Sequence, residues 1–186
     1  MAIDVKKLLS EALLELCETK PLSKIKILDV VELSGTGRQT FYNHFLNKND
    51  LINWTWEEYL TNENLLDPSE NLYEYTLNVN RLYVKHNKFF VQACALTGQN
   101  SLIDYMIQHN RRNFLHLITE ELKAESDKET IVVSDELMYA INYNAFGSTN
   151  MHVKWVREGM PTSPEEFSRY MVNSIPTIMK QYLQVE

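Results

Sequence analysis

Arg38, Gln39, Thr40, Tyr42, Asn43 and His44 crowd into one short stretch and bring hydrogen-bonding groups without a negative charge. An arginine fork matches O6 and N7 of guanine or a phosphate, a glutamine amide matches adenine, and a threonine suits a thymine methyl or a phosphate. Phe41 and Phe45 are interleaved with them, four residues apart, so they share one helical face and are expected to be buried. A two-turn amphipathic helix with an apolar underside and polar fingers suits reading the edges of bases in double-stranded DNA. Lys48 follows at the head of the next helix, where backbone N–H groups and an ammonium together favour a phosphate.

Such a helix needs elements to hold it. Residues 24–33 carry Ile27, Val30, Val31 and Leu33 in helical spacing, with Ser23 placed to cap them. Ser34-Gly35-Thr36-Gly37 then makes the turn, where glycine takes positive φ without steric cost. Helix, glycine turn and short polar-faced helix make a helix-turn-helix, whose second helix enters the major groove. Ahead of it, residues 3–19 form a helix burying Leu8, Leu9, Leu13 and Leu16, stopped by Pro21. Behind it, a fourth helix opens at Asn47 or Lys48 and runs to Leu60. Trp54 and Trp56 cannot both face one core, so one of them is expected to meet the helices beyond.

The charge pattern agrees. The net charge is −7, yet residues 20–48 hold Lys20, Lys24, Lys26, Arg38 and Lys48 against only Asp29 and Glu32. A small basic strip on an acidic body fits phosphate recognition by one face and argues against general coating of nucleic acid.

Ile27-Leu28-Asp29-Val30-Val31, the glycine turn, and Arg38-Gln39-Thr40-Phe41-Tyr42-Asn43-His44-Phe45 followed by Lys48 and Leu51 resemble the TetR family of bacterial transcription regulators. Within it, the wording of the short helix is most similar to a Firmicute subgroup that includes dihydroxyacetone kinase regulators. The resemblance implies that Tyr42, His44 and Lys26 touch the phosphate backbone, and that Thr36, Gly37 and Asn43 belong to the same surface. It also implies a homodimer, formed by the last two helices, on a palindromic operator with half-sites one DNA turn or a multiple apart. Where the family usually has small-Gly-Val-Ser, this chain has Ser34-Gly35-Thr36-Gly37, so the short helix loses its serine cap.

The rest of the chain reads as helices too. Asp67-Pro68-Ser69 is the strongest break, and it divides an N-terminal three-helix helix-turn-helix domain, residues 1–64, from a helical bundle, residues 65–186. Ser69 is expected to cap a helix through Tyr83. Further helices are expected at 88–96, 100–124 and 135–158, with a polar loop over 123–130. Ser134 caps the third of these, and Pro164 opens a last helix to about Leu183 that Pro176 is expected to kink or leave short of a hydrogen bond. The fold class is all-α, with about nine helices.

Composition excludes several classes. No apolar run reaches the roughly 18 residues of a membrane span, the N-terminus lacks a signal-peptide core, and Cys17 and Cys94 have no paired spacing. A cytoplasmic protein with reduced thiols is expected. No Ser-His-Asp set, phosphate-cradling glycine loop or paired carboxylates suggest an enzyme. His109 and His116 lie seven apart without a third ligand, so neither a metal nor a cofactor is expected.

The C-terminal half is rich in aromatic residues, a pattern that favours plain core and dimer packing. If an effector pocket opens among them, Phe90, Cys94, Tyr105, His109 and Tyr143 are its expected lining. The reading is a regulator, expected to repress, controlled by a small-molecule effector. One alternative is a coactivator controlled by a partner protein, with a packed core and an exposed apolar patch. The other is a ligand-binding or enzymatic bundle without DNA binding, indifferent to changes at Arg38 and Tyr42.

Overall fold

Asp4 opens the first helix by accepting from the backbone N–H groups of Lys6 and Lys7, at 3.0 and 3.3 Å. The structure, a computed structural model, describes residues 4–65, 71–124 and 132–183. Among them are no strands, ten α-helices and one turn of 3-10 helix at Leu22–Lys24. The expected break at Asp67-Pro68-Ser69 and most of the expected polar loop, residues 125–130, lie outside the described residues; Lys123 and Ala124 still belong to a helix.

Four helices form the N-terminal part: α1 (Val5–Thr19), α2 (Ile27–Leu33), α3 (Arg38–His44) and α4 (Lys48–Asn62). Then come α5 (Leu72–Lys85), α6 (Asn87–Ala95), α7 (Leu102–Ala124), α8 (Asp135–Arg157), α9 (Pro164–Asn173) and α10 (Thr177–Leu183). Leu9, Leu13, Val30, Phe41, Leu51 and Trp56 belong to a buried cluster that continues without interruption into Tyr83, Phe90 and Met106 of α5, α6 and α7. A second cluster, built on Ile118, Ile141 and Met179, closes the far end of α7, α8 and α10. The helices of the C-terminal half are therefore packed directly onto α4.

Three local expectations are corrected. Ser23 does not cap α2; it lies in the 3-10 turn, and Lys26 is the extended residue before the helix. The reason is Asp29, whose carboxylate accepts from the Lys26 backbone N–H at 2.7 Å and from Lys20 Nζ at 2.6 Å. Asn71, not Ser69, caps α5, accepting from the Glu74 N–H at 3.0 Å. Pro176 ends rather than kinks the last helix, because proline has no N–H and its ring collides with the preceding turn. The expected single helix is thus α9 and α10, and ten α-helices replace nine.

Other signals read from sequence hold. Asn47 caps α4 through the Asp50 N–H at 3.1 Å, Ser134 caps α8 through Leu137 at 3.3 Å, and Pro164 sits in the first turn of α9. Acids follow each of these starts, as the helix dipole favours.

Candidate nucleic-acid interface and inner cavity

Gly35 takes φ +67, the left-handed value that lets α2 turn into α3 within four residues. The turn is locked by the Thr36 N–H donating to Val31 O at 3.0 Å and by the Ser34 and Thr36 hydroxyls, 2.9 Å apart. Thr36 is consequently half-buried and its hydroxyl is already paired. Gly37 is the extended residue before α3 and gives it no side-chain cap. A Cβ there would meet only Thr40 Oγ1, at 3.9 Å, an ordinary contact. Gly37→Ser is therefore expected to raise stability by a few tenths of a kcal/mol, read as a small upward shift of the urea midpoint.

The two faces of α3 separate as their residue types require. Phe41 and Phe45 are buried, with ring centroids 5.7 Å apart, and Phe45 meets the Trp54 edge at 6.0 Å. Lys6 Nζ closes this side, 5.7 Å from the Phe45 ring centroid. Arg38, Gln39, Tyr42, Asn43 and His44 are exposed on the outer side, and Thr40 is half-buried. Gln39 Nε2 donates to Asn43 Oδ1 at 3.2 Å, so the two amides are oriented together one turn apart. Tyr42 packs against Phe41 edge to face while its residue stays 53% exposed. A ring held on one side and exposed overall can offer its hydroxyl as a hydrogen-bond donor.

The two lysines flanking this helix behave differently. Lys26 is exposed. Lys48 is drawn inward: its ammonium donates to Leu22 O at 2.7 Å and Ile25 O at 2.9 Å, and burial lowers its pKa. It ties α4 to the segment ahead of α2, a task sequence reasoning missed because those carbonyls are remote in the chain. Gln92 of α6 was missed as well. It accepts from the Leu22 N–H at 2.6 Å and donates to Cys17 O at 3.3 Å, anchoring the same segment from the opposite side. The bond from Lys20 lowers the Asp29 carboxyl pKa, with the Lys26 backbone N–H adding to it.

Helix α4 leads from this surface to the interior. Trp56 is its buried tryptophan, and its indole N–H donates to Tyr83 Oη of α5 at 2.5 Å. The Tyr83 ring stacks on Phe90 at 3.9 Å and lies 4.4 Å from the His152 ring. Beside these rings, between α5, α7, α8 and α9, is a cavity of about 70 Å³. Leu72, Met106, Phe114 and Val172 form part of its apolar wall, and Asn80, Asn144 and His152 bring polar groups to it.

None of Phe90, Cys94, Tyr105, His109 and Tyr143 lines this cavity. Phe90 stacks on Tyr83, and Cys94 is fully buried, with burial pushing its thiol up to about 12. Tyr105 and His109 meet Trp56 edge to face at 5.9 and 4.9 Å, and Tyr143 stands outward, 67% exposed. A signal for this cavity's lining was present: Asn144, Ser148 and His152 recur every fourth residue along α8 and form a polar stripe on a helix face.

Burial lowers the His152 and His109 pKa values to about 4. Both rings are neutral in the fold, whereas the unfolded chain titrates near the ordinary value of about 6.5. As pH falls from about 6.5 toward 4 the unfolded chain takes up protons first, so stability drops by roughly 1.4 kcal/mol per pH unit per histidine. Above that window their contribution is constant. Urea unfolding at about pH 7.5 and about pH 5 is expected to show this loss. Among the described residues no group of His, Cys, Asp and Glu could hold a metal ion, and no helix is long and apolar enough to cross a membrane.

Four matches to known proteins bear on this arrangement. Residues 70–177, more than half of the chain, match the TetR C-terminal family described as a transcriptional regulator C-terminal region. The chain is similar to the HTH-type dhaKLM operon transcriptional activator DhaS of Lactococcus lactis, 24% identical over 128 residues, 68% of this chain and 66% of that relative. That match thus spans just under two thirds of the relative's length. Among solved structures, a dihydroxyacetone kinase operon activator DhaS superposes with a TM-score of 0.64 at 19% identity, covering 98% of both chains. A TetR-family transcriptional regulator from Syntrophomonas wolfei gives 0.51 at 19% identity, with 94% of each chain covered.

Proposed function

Because the chain belongs to the TetR family of transcription regulators, we propose that it binds double-stranded operator DNA as a homodimer, through α3, under the control of a small molecule held in the C-terminal half. Residues 1–64 form the DNA-binding part and residues 65–186 the dimerising and sensing part. The observation that carries this reading is the outer face of α3: Arg38, Gln39, Tyr42, Asn43 and His44 stand exposed on a helix whose other side is sealed into the core. Arg38 and Gln39 are assigned to base edges, Thr40 to a thymine methyl or phosphate, and Tyr42, His44 and Lys26 to phosphates. Lys48 holds the turn ahead of α2 and acts on DNA through position.

The outward side of α8 supports the dimer. Tyr139, Tyr143 and Phe146 are 72%, 67% and 54% exposed at helical spacing, and a second copy of the chain is the occupant that two-fold operator recognition requires. The cavity favours a small molecule over a partner protein as the controlling signal. Trp56 supports its route to the DNA, since it lines the cavity and belongs to α4. Asn49 and Asn53 of α4 also donate to Gln99 O and Asn100 O, at 3.3 and 3.4 Å, just ahead of α7. An effector that binds one setting of α4 more tightly than another shifts the spacing of the two recognition helices. The sign of regulation is read as activation instead of the expected repression, because the curated relative is an activator by name.

Nuclease footprinting of the DNA beside the chain's own gene tests the whole reading. A two-fold symmetric protected site is expected, and Tyr143→Glu should weaken both dimer and footprint by roughly 30-fold, the loss of about 2 kcal/mol typical of a buried interface aromatic. An asymmetric footprint, or a dimer indifferent to Tyr143→Glu, would contradict it.

A further inference from the structure

We propose that the cavity between α5, α7, α8 and α9 takes a small uncharged molecule with an apolar body and one hydroxyl-type end, able both to donate and to accept a hydrogen bond. The proposal rests on the effector reading above and specifies its ligand. Four buried side-chain polar atoms lack a hydrogen-bond partner among the described residues, and three of them belong to residues lining this cavity: Asn80 Oδ1, Asn144 Nδ2 and His152 Nε2. All three residues are more than nine-tenths buried. Buried polar groups are nearly always paired, so three orphans around one space mark where a bound molecule can supply partners.

The complement of these atoms defines the chemistry. Asn80 Nδ2 already donates to Ser168 Oγ at 2.8 Å, which fixes its carbonyl as an acceptor in need of a donor. Asn144 offers a donor in need of an acceptor, and the neutral His152 ring adds a further site. A hydroxyl meets both demands at once. The remaining wall is apolar, with Leu72, Met106, Phe114 and Val172 among its residues. Among the described residues no Lys, Arg, Asp or Glu lines the cavity, so an ionic ligand would enter without a counter-charge from them. A cavity of about 70 Å³ leaves room for a body of roughly six to ten non-hydrogen atoms.

Three probes of similar size separate the alternatives: phenol, toluene and benzoate, titrated calorimetrically into the full chain. Phenol is expected to bind once per chain, toluene at least tenfold more weakly, and benzoate not at all. Asn144→Ala, shown folded by circular dichroism, should bring phenol to within about threefold of toluene while leaving toluene binding in place. Toluene matching phenol, benzoate binding, or no saturable phenol binding by folded wild type would overturn the proposal. So would a phenol preference untouched by Asn144→Ala. Parallel DNA titration keeps the two readings apart: a chain that prefers phenol but binds no DNA would refute the regulator, not the cavity's chemistry.

Discussion

Phe41→Ala is expected to cost about 3–5 kcal/mol of stability, the range for removing a buried phenylalanine whose site cannot collapse. Phe41 is 0% exposed, and its ring is held between Phe45 and the rest of the N-terminal cluster. Helix α3 spans only Arg38–His44 and has no side-chain cap at Gly37, so it is too short to persist without that packing. Chemical denaturation checks the magnitude. Because the cluster runs from α1–α4 into α5–α7, unfolding of the variant should shift as one transition. DNA binding should disappear together with the loss of structure.

Arg38→Ala is expected to do the opposite. The side chain is exposed at the first position of α3, so the fold and unfolding midpoint should stay within about 0.5 kcal/mol of wild type. Operator affinity should fall by roughly 5- to 150-fold, the 1–3 kcal/mol a bidentate base contact contributes, and discrimination at one base pair should relax. Competition binding against operators substituted at single positions reads both effects. Phe41 and Arg38 thus lie three residues apart on one helix, one expected to fail by unfolding and the other by loss of recognition.

Helix α3 was legible because everything that defines it is local: two phenylalanines four apart, polar residues around them, and a glycine turn before them. The lack of a side-chain cap, too, was read from Gly37 alone. The Lys48 tie was not, since its partners, Leu22 O and Ile25 O, come from the far side of α2 and only folding brings them near. The start of α2 was misplaced for a related reason. Ser23 has the right residue type for a cap, but Asp29 reaches back to the Lys26 N–H and to Lys20, and sets the start three residues later. In the C-terminal half, aromatic content drew attention to Phe90, Tyr105 and Tyr143. The cavity instead depends on how four helices separate, which no single segment records. Its signature was polar, in Asn80, Asn144 and His152 at positions where core residues belong.

The most direct measurement of the central claim is fluorescence anisotropy on labelled DNA from upstream of the chain's own gene, at two salt concentrations, with wild type and Arg38→Ala. Expected is saturable binding that weakens with salt at a log–log slope of about −0.9 per phosphate neutralised, together with the loss of affinity in the variant. Folded, dimeric protein that binds this and other duplexes no better than Arg38→Ala does would contradict the assignment of α3 to DNA.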